Sequence, residues 1–139
     1  MNNHNFYSER NNYLDIKFLG ALWQHVQWEG VKGYATKYAF ESTAKQEMKH
    51  AEMIAERLYY LSDGKVVPTT KPDPINVGKN LREMVTQDMQ DEKKAIEMYK
   101  TIIANARKEA DEATALLFME ILKDEEEHHD TFETLFAQL

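Results

Sequence analysis

Two short motifs carry the residue types that bind cations. Glu47 and His50 stand three apart in QEMKHAE, and Glu125 and His128 stand three apart in KDEEEHHD. On a helix, residues three apart share a face, so each motif turns one carboxylate and one imidazole in the same direction. Each is half of a metal site. Both motifs lie on apolar stripes: Glu47 and His50 lead on to Ala51, Ile54 and Leu58, while Glu125 and His128 stand between Phe118, Ile121 and Phe132. A carboxylate turned toward a core needs a compensating charge, and where several converge a divalent cation is the usual one. One Glu-x-x-His among so many acids reads as a solvated face, and so does the run Asp124 to Glu127. Two of them, each on a stripe that should be core, read as a site.

The elements that position these groups follow from periodicity. All three prolines fall between Pro68 and Pro74, inside the stretch Ser62 to Gly78, which lacks helical periodicity and divides the chain. Before it, apolar residues recur at three and four in Leu19, Leu22, Val26, then in Tyr34, Tyr38 and Ile54, Leu58, Leu61. Gly30 and Gly33 in WEGVKG break the two runs. After the linker the pattern returns in Val85, Met89, Ile96, Tyr99, Ile103 and in Leu117, Ile121, Phe132, Phe136, interrupted by the polar stretch Asn105 to Thr114. This predicts four helices, roughly 8 to 28, 32 to 62, 77 to 105 and 111 to 137, in two antiparallel hairpins. A helix of about 30 residues is about 45 Å long, and an extended crossover of about 15 residues reaches about 50 Å. The linker can therefore run the length of a bundle. The expected fold is all-α, a single domain over 1–139 with four helices in up-down-down-up order and one long crossover.

Such a bundle asks its partner helices for a carboxylate at the same height. Glu92 lies on the inner line of Val85, Asp88 or Met89, Ile96 and Tyr99, and its midpoint with Glu125 falls at 108 to 109, inside the expected turn. In the first hairpin Asp15 and Glu29 share a line with Leu19, Leu22 and Val26. Pairing Asp15 with Glu47 puts the midpoint at 31, within WEGVKG; pairing Glu29 puts it at 38, where no breaker exists. A reversal near 31 leaves Glu29 about 20 Å along the bundle from Glu47. Asp15 is the expected ligand, with Glu29, Glu9 or none as the alternatives. Asp15 to Glu47 spans 32 residues and Glu92 to Glu125 spans 33, so the halves are near-repeats.

Composition excludes other chemistries. The chain has 139 residues, 42% hydrophobic and 29% charged, with no Cys, so thiolate metal sites, disulfides and cysteine nucleophiles are ruled out. A formal charge of −7 and the lack of a basic stripe argue against nucleic acid and anionic membranes. The opening MNNHNFYSERNN has no apolar signal segment and no run of about 18 apolar residues follows, so a cytoplasmic protein is expected. His4, His25 and His129 lack matching partners and read as surface or packing residues.

One carboxylate from each of two helices plus a Glu-x-x-His from each of two others is the ligand pattern of ferritin-like di-iron proteins. The sequence resembles the bacterioferritin branch of that superfamily, chiefly in EMKHAEMIAERLYYLSDGKVVP and MEILKDEEEHHDTFETL and more weakly in EMVTQDMQDEKKA. The resemblance implies Glu47 and Glu125 as carboxylates bridging two irons and carrying the catalysis, His50 and His128 as nitrogen ligands, and Glu92 as a terminal carboxylate. The other terminal ligand is a Glu in that family, so Asp15 is a departure with a shorter reach. Met48 matches the methionine that binds haem b across a two-fold axis, although a Met there also reads as interface packing. With 11 residues after His128, the short fifth helix of 24-subunit bacterioferritins is expected to be missing.

Carboxylate oxygens with one imidazole per metal suit iron or manganese better than copper or structural zinc. The expected function is a ferroxidase and iron-storage activity, in which two Fe(II) ions are oxidised by dioxygen or peroxide in a homo-oligomer, a dimer or a larger shell. Tyr34, Tyr38 and Tyr99 are candidates for carrying stray oxidising equivalents, against the simpler reading as core filler. The alternatives are a rubrerythrin-like peroxidase or oxidase without storage, which lacking Cys would take electrons from another protein, and a metal-free helical assembly protein.

Overall fold

A computed structural model describes Trp23 and residues 30–67 and 78–139. Of the helix expected over 8–28 the described residues include Trp23 alone, which is helical; Asp15, Glu9, Glu29, His4 and His25 lie outside the described residues. The chain divides into two compact units, Met1–Val77 and Gly78–Leu139. Three helices account for most of the described residues: α1 (Gly30–Ser62), α2 (Leu81–Lys108) and α3 (Glu112–Phe136). No strand occurs among the described residues, and none of the helices is long and apolar enough to cross a membrane.

In the first unit, α1 starts at Gly30, whose φ of 68° is left-handed and suits a residue without Cβ. The break expected at the glycine pair therefore falls at Gly30, while Gly33 is buried inside the helix and its carbonyl accepts from the Thr36 hydroxyl at 2.9 Å. At the other end the Gly64 N–H donates to the Tyr59 carbonyl at 2.9 Å and the Asp63 N–H to that of Tyr60 at 3.3 Å. These crossed bonds, with Asp63 and Gly64 at φ 53° and 69°, form a Schellman stop that satisfies carbonyls the helix leaves open.

The buried face of α1 runs through Thr36, Phe40, Thr43, Ala44, Glu47, His50, Ile54 and Leu58. Tyr34 and Tyr38, expected on that face, are 53% and 61% exposed. The reason is angular: Tyr38 precedes Glu47 by nine residues, and at 3.6 residues per turn nine residues rotate the chain half-way round. Phe40, seven before Glu47, takes the inner place.

The second unit is a helical hairpin. Asn80 caps α2 in extended conformation, its side chain accepting from the Glu83 N–H at 3.0 Å, while Glu83 reaches back to accept from the Lys79 N–H at 2.9 Å. This reciprocal cap moves the start from the expected 77 to Leu81. α2 ends in a second Schellman stop, with Asp111 N–H donating to the Ala106 carbonyl at 2.9 Å and Ala110 N–H to that of Arg107 at 3.1 Å. Asp111 then caps α3 by accepting from the Thr114 N–H at 3.0 Å. The stretch Asn105 to Thr114, polar in sequence, therefore contains a link of only three residues.

Contacts fix the register of the hairpin. The Arg82 guanidinium lies 4.5 Å from the Phe136 ring centre, His128 Nδ1 lies 3.7 Å from Glu92 Oε1, and the Tyr99 and Phe118 rings are centred 5.6 Å apart. One number falls as the other rises, so the helices are antiparallel. Val85, Ala95, Tyr99 and Ile102 of α2 are wholly buried, as are Phe118, Ile121 and Phe132 of α3. Burial of a large apolar side chain contributes about 1.5–3 kcal/mol, and it is these layers that hold polar groups inside the hairpin.

Two backbone positions test this account of the hairpin ends. Ala110 holds a left-handed φ of 56°, which costs a residue with a Cβ roughly 1–2 kcal/mol. Ala110→Gly should raise stability by up to about 1 kcal/mol after Gly's own entropic cost. Gly78 is the converse case, because a Cβ there would lie 2.4 Å from the Met84 backbone nitrogen. Gly78→Ala should lower stability by about 1–3 kcal/mol. Thermal denaturation of the two variants beside the wild type reads both effects, which should have opposite signs.

Candidate metal centre

Glu92 is carried by the middle of α2, and Glu125 and His128 by α3 four turns from its start. All three lie on buried faces made by the apolar residues around them. Val85 and Phe132 stand two turns to one side of Glu92 and Glu125, and Tyr99 and Phe118 stand two turns to the other. The polar level is therefore enclosed between apolar levels. Glu92 and Glu125 are 1% and 0% exposed, so neither carboxylate can rely on bulk water for its charge.

Glu92, Glu125 and His128 each offer a ligand atom, and these atoms lie within 4.8 Å of one another. The 3.7 Å between His128 Nδ1 and Glu92 Oε1 exceeds a normal hydrogen bond. Two donors on one first-row ion, each about 2.0–2.2 Å from it, lie up to about 4.4 Å apart. The three groups thus need only small side-chain rotations to share a cation. Two carboxylates so close repel when both are ionised, whereas one divalent ion balances both charges and takes the imidazole as a neutral third donor. The donor set fits iron or manganese.

On α1, Glu47 and His50 are 0% and 1% exposed, with His50 Nδ1 4.0 Å from Glu47 Oε1. They present the same carboxylate and imidazole pair that α3 presents, as their shared spacing predicts. Among the described residues, the buried Glu and His are Glu47, His50, Glu92, Glu125 and His128, each already marked out by its spacing. Asp88 joins them as a buried carboxylate, one turn before Glu92 on the same face, while Met89 is only half-buried. The sequence left these two open. A helix face counted back from Glu92 by four residues selects Asp88.

The remaining candidates divide by exposure. Tyr99 is fully buried against Phe118 and belongs to the core. Tyr34 and Tyr38 form an exposed edge-to-face pair with ring centres 6.1 Å apart. The Tyr38 hydroxyl is held above the ordinary phenol range, first by its hydrogen bond with Tyr34 and then by the charge of ionised Tyr34, with smaller effects from burial and Glu41. Met48 is 56% exposed, one residue round the helix from buried Glu47. His129 is half-buried, and its Nε2 is a buried nitrogen with no hydrogen-bond partner. Asp15 lies outside the described residues.

Comparison with known proteins places this arrangement. The family model described as a ferritin-like domain matches residues 20–139. A bacterioferritin of Brucella melitensis is 30% identical over 125 residues, 88% of this chain and 75% of that protein. One from Mycobacterium avium is 37% identical over 89 residues, 63% of this chain, and the match spans about half of that protein's length, 54%. A crystal structure of a ferritin-like diiron-carboxylate protein from Bacillus anthracis aligns with a TM-score of 0.88 at 21% identity, covering 96% of this chain and 94% of that one. A bacterioferritin from Mycobacterium tuberculosis aligns with a TM-score of 0.73 at 24% identity, covering 97% and 84%. The two structures speak for the fold, which is all-α as the helical periodicity predicts and ferritin-like as the resemblance implies. With buried Glu-x-x-His motifs on α1 and α3 and a matching family model over most of its length, the chain belongs to the ferritin-like family.

Proposed function

We propose that the chain is a ferroxidase that oxidises Fe(II) and holds or passes on the Fe(III) produced. The observation that carries this reading is the enclosed group of Glu92, Glu125 and His128, two carboxylates and an imidazole within 4.8 Å of one another and shielded from water. Both units contribute to one ferritin-like domain in this reading, as the span of the family model supports. Fe(II) is the substrate. In this reading Glu47 and Glu125 would be the catalytic carboxylates, His50 and His128 would each offer a nitrogen, and Glu92 and Asp15 would be the further carboxylates that hold Fe(II). Each Fe(II) gives up one electron. Two electrons and two protons convert one dioxygen to hydrogen peroxide, or one hydrogen peroxide to two waters.

The protein's part is to hold the ions at fixed spacing and to exclude bulk water, while the carboxylates favour the more highly charged Fe(III) product. α1 exposes the large side chains Tyr34, Tyr38, Met48, Tyr59 and Tyr60, and we take the working form to be a homo-oligomer. Met48 is the one candidate for holding haem b in such an assembly.

Aerobic addition of Fe(II) to purified apo-protein tests the activity, followed by ferric absorbance and iron counting per chain. Rapid oxidation with continued uptake supports storage, saturation near two ions supports a rubrerythrin-like oxidase, and no binding leaves a metal-free assembly protein. Glu47→Ala and Glu125→Ala should each abolish the fast phase; unchanged kinetics in either would mean that the catalytic carboxylates are misassigned.

Charge repulsion gives a separate prediction on stability. Removing one of two close buried charges without changing shape should stabilise the metal-free protein by roughly 1–3 kcal/mol. Glu125→Gln should therefore melt above the wild type in chelator and lose most of the wild type's upward shift on adding Mn(II). A lower melting temperature in chelator would show that the carboxylate is held by something other than a metal.

A further inference from the structure

We propose that Tyr34 and Tyr38 form an oxidation site on α1, where two one-electron oxidations join the rings by a carbon–carbon bond and so consume hydroxyl radicals generated from Fe(II) and hydrogen peroxide. The source of the radicals rests on the ferroxidase reading; the pairing of the rings does not.

The geometry is that of two phenols held for coupling. Residues four apart on a helix are neighbours, about 5–6 Å between Cβ atoms, and these two rings stand edge to face with centres 6.1 Å apart and planes at 82°. A hydrogen bond joins the two hydroxyls and draws together the ring carbons beside them. Both rings lie on the exposed side of α1, away from buried Glu47 and His50, so they meet oxidant that has escaped into water. A bond between them spans one turn of α1 and forms without unwinding it. Tyr59 and Tyr60 are exposed too, but adjacent residues project roughly 100° apart on a helix. The Arg57 guanidinium also stands 5.2 Å from the Tyr60 ring centre, a cation that opposes loss of an electron from that ring.

Two Fe(II) ions acting together reduce hydrogen peroxide to water. One Fe(II) acting alone gives a single electron, becomes Fe(III), and splits the peroxide into hydroxide and a hydroxyl radical. Each of two such radicals takes the hydroxyl hydrogen atom of one tyrosine and ends as water. The two phenoxyl radicals then pair their electrons in a bond between the ring carbons beside the oxygens. The hydrogens on those carbons pass to the oxygens and restore both phenols, so the protein gives up two hydrogen atoms in all. A lone tyrosine stops at a radical that still needs a reductant. A pair ends the chain within itself.

Trypsin cleaves after Lys32, Lys37 and Lys45, so Tyr34 and Tyr38 fall on separate peptides, 33–37 and 38–45. Full-length protein given Fe(II) and then hydrogen peroxide in steps should yield these peptides joined, at a mass two hydrogens below their sum, with dityrosine fluorescence on a denatured chain of monomer size. Tyr34→Phe and Tyr38→Phe, which keep the rings, should each abolish the joined peptide and leave the rate of the first Fe(II) oxidation unchanged. A parallel sample with Fe(II) held by EDTA makes the radicals in bulk water. Joined peptides there, but not with the protein's own Fe(II), would keep the coupling site and overturn the ferroxidase as its source of radicals. Peptides that stay separate in both samples while Met48, Tyr59 or Tyr60 is oxidised would overturn the proposal, as would a bond that links isotopically distinct chains in a mixed sample.

Discussion

Ionised carboxylates do not enter a protein interior without a reason, and this chain puts Glu47, Glu92 and Glu125 there at 0–1% exposure. The penalty for a buried, uncompensated charge is several kcal/mol, comparable to the whole stability of a small domain. Much of the architecture answers to that penalty. Each acid has an apolar layer two turns to either side, and each Glu-x-x-His adds an imidazole nitrogen as a further donor for a cation. A helix suits this task because it satisfies its own backbone hydrogen bonds and leaves side chains free to converge.

The caps and stops at the helix ends matter for the same reason. A ligand set drawn from two helices is only as well placed as their register, and register in a hairpin is set where the chain turns. Ala106, Arg107, Ala110 and Asp111 close the turn through crossed backbone bonds, and Asp111 begins the next helix at once. With so short a link, Glu92 and Glu125 meet at one level by construction. Arg82 against Phe136 holds the open end, so the carboxylate level lies between two fixed points.

Much of this was legible in the sequence because helix periodicity and burial obey the same geometry. Glu47, His50, Glu125 and His128 announce themselves by spacing alone, and Glu92 follows from its height relative to the turn. The helix ends were less legible: Asn80 and Glu83 form a cap that moves the start of α2 by four residues, a local hydrogen-bonding choice that apolar periodicity does not register. Tyr34 and Tyr38 mislead for a different reason. Their four-residue spacing is helical and their side chains are large and apolar, yet the phase of the buried face is set by Phe40 and Glu47, half a turn away. Spacing gives the period of a helix; only a contact partner gives its phase. The first-helix carboxylate stays an inference from the near-repeat.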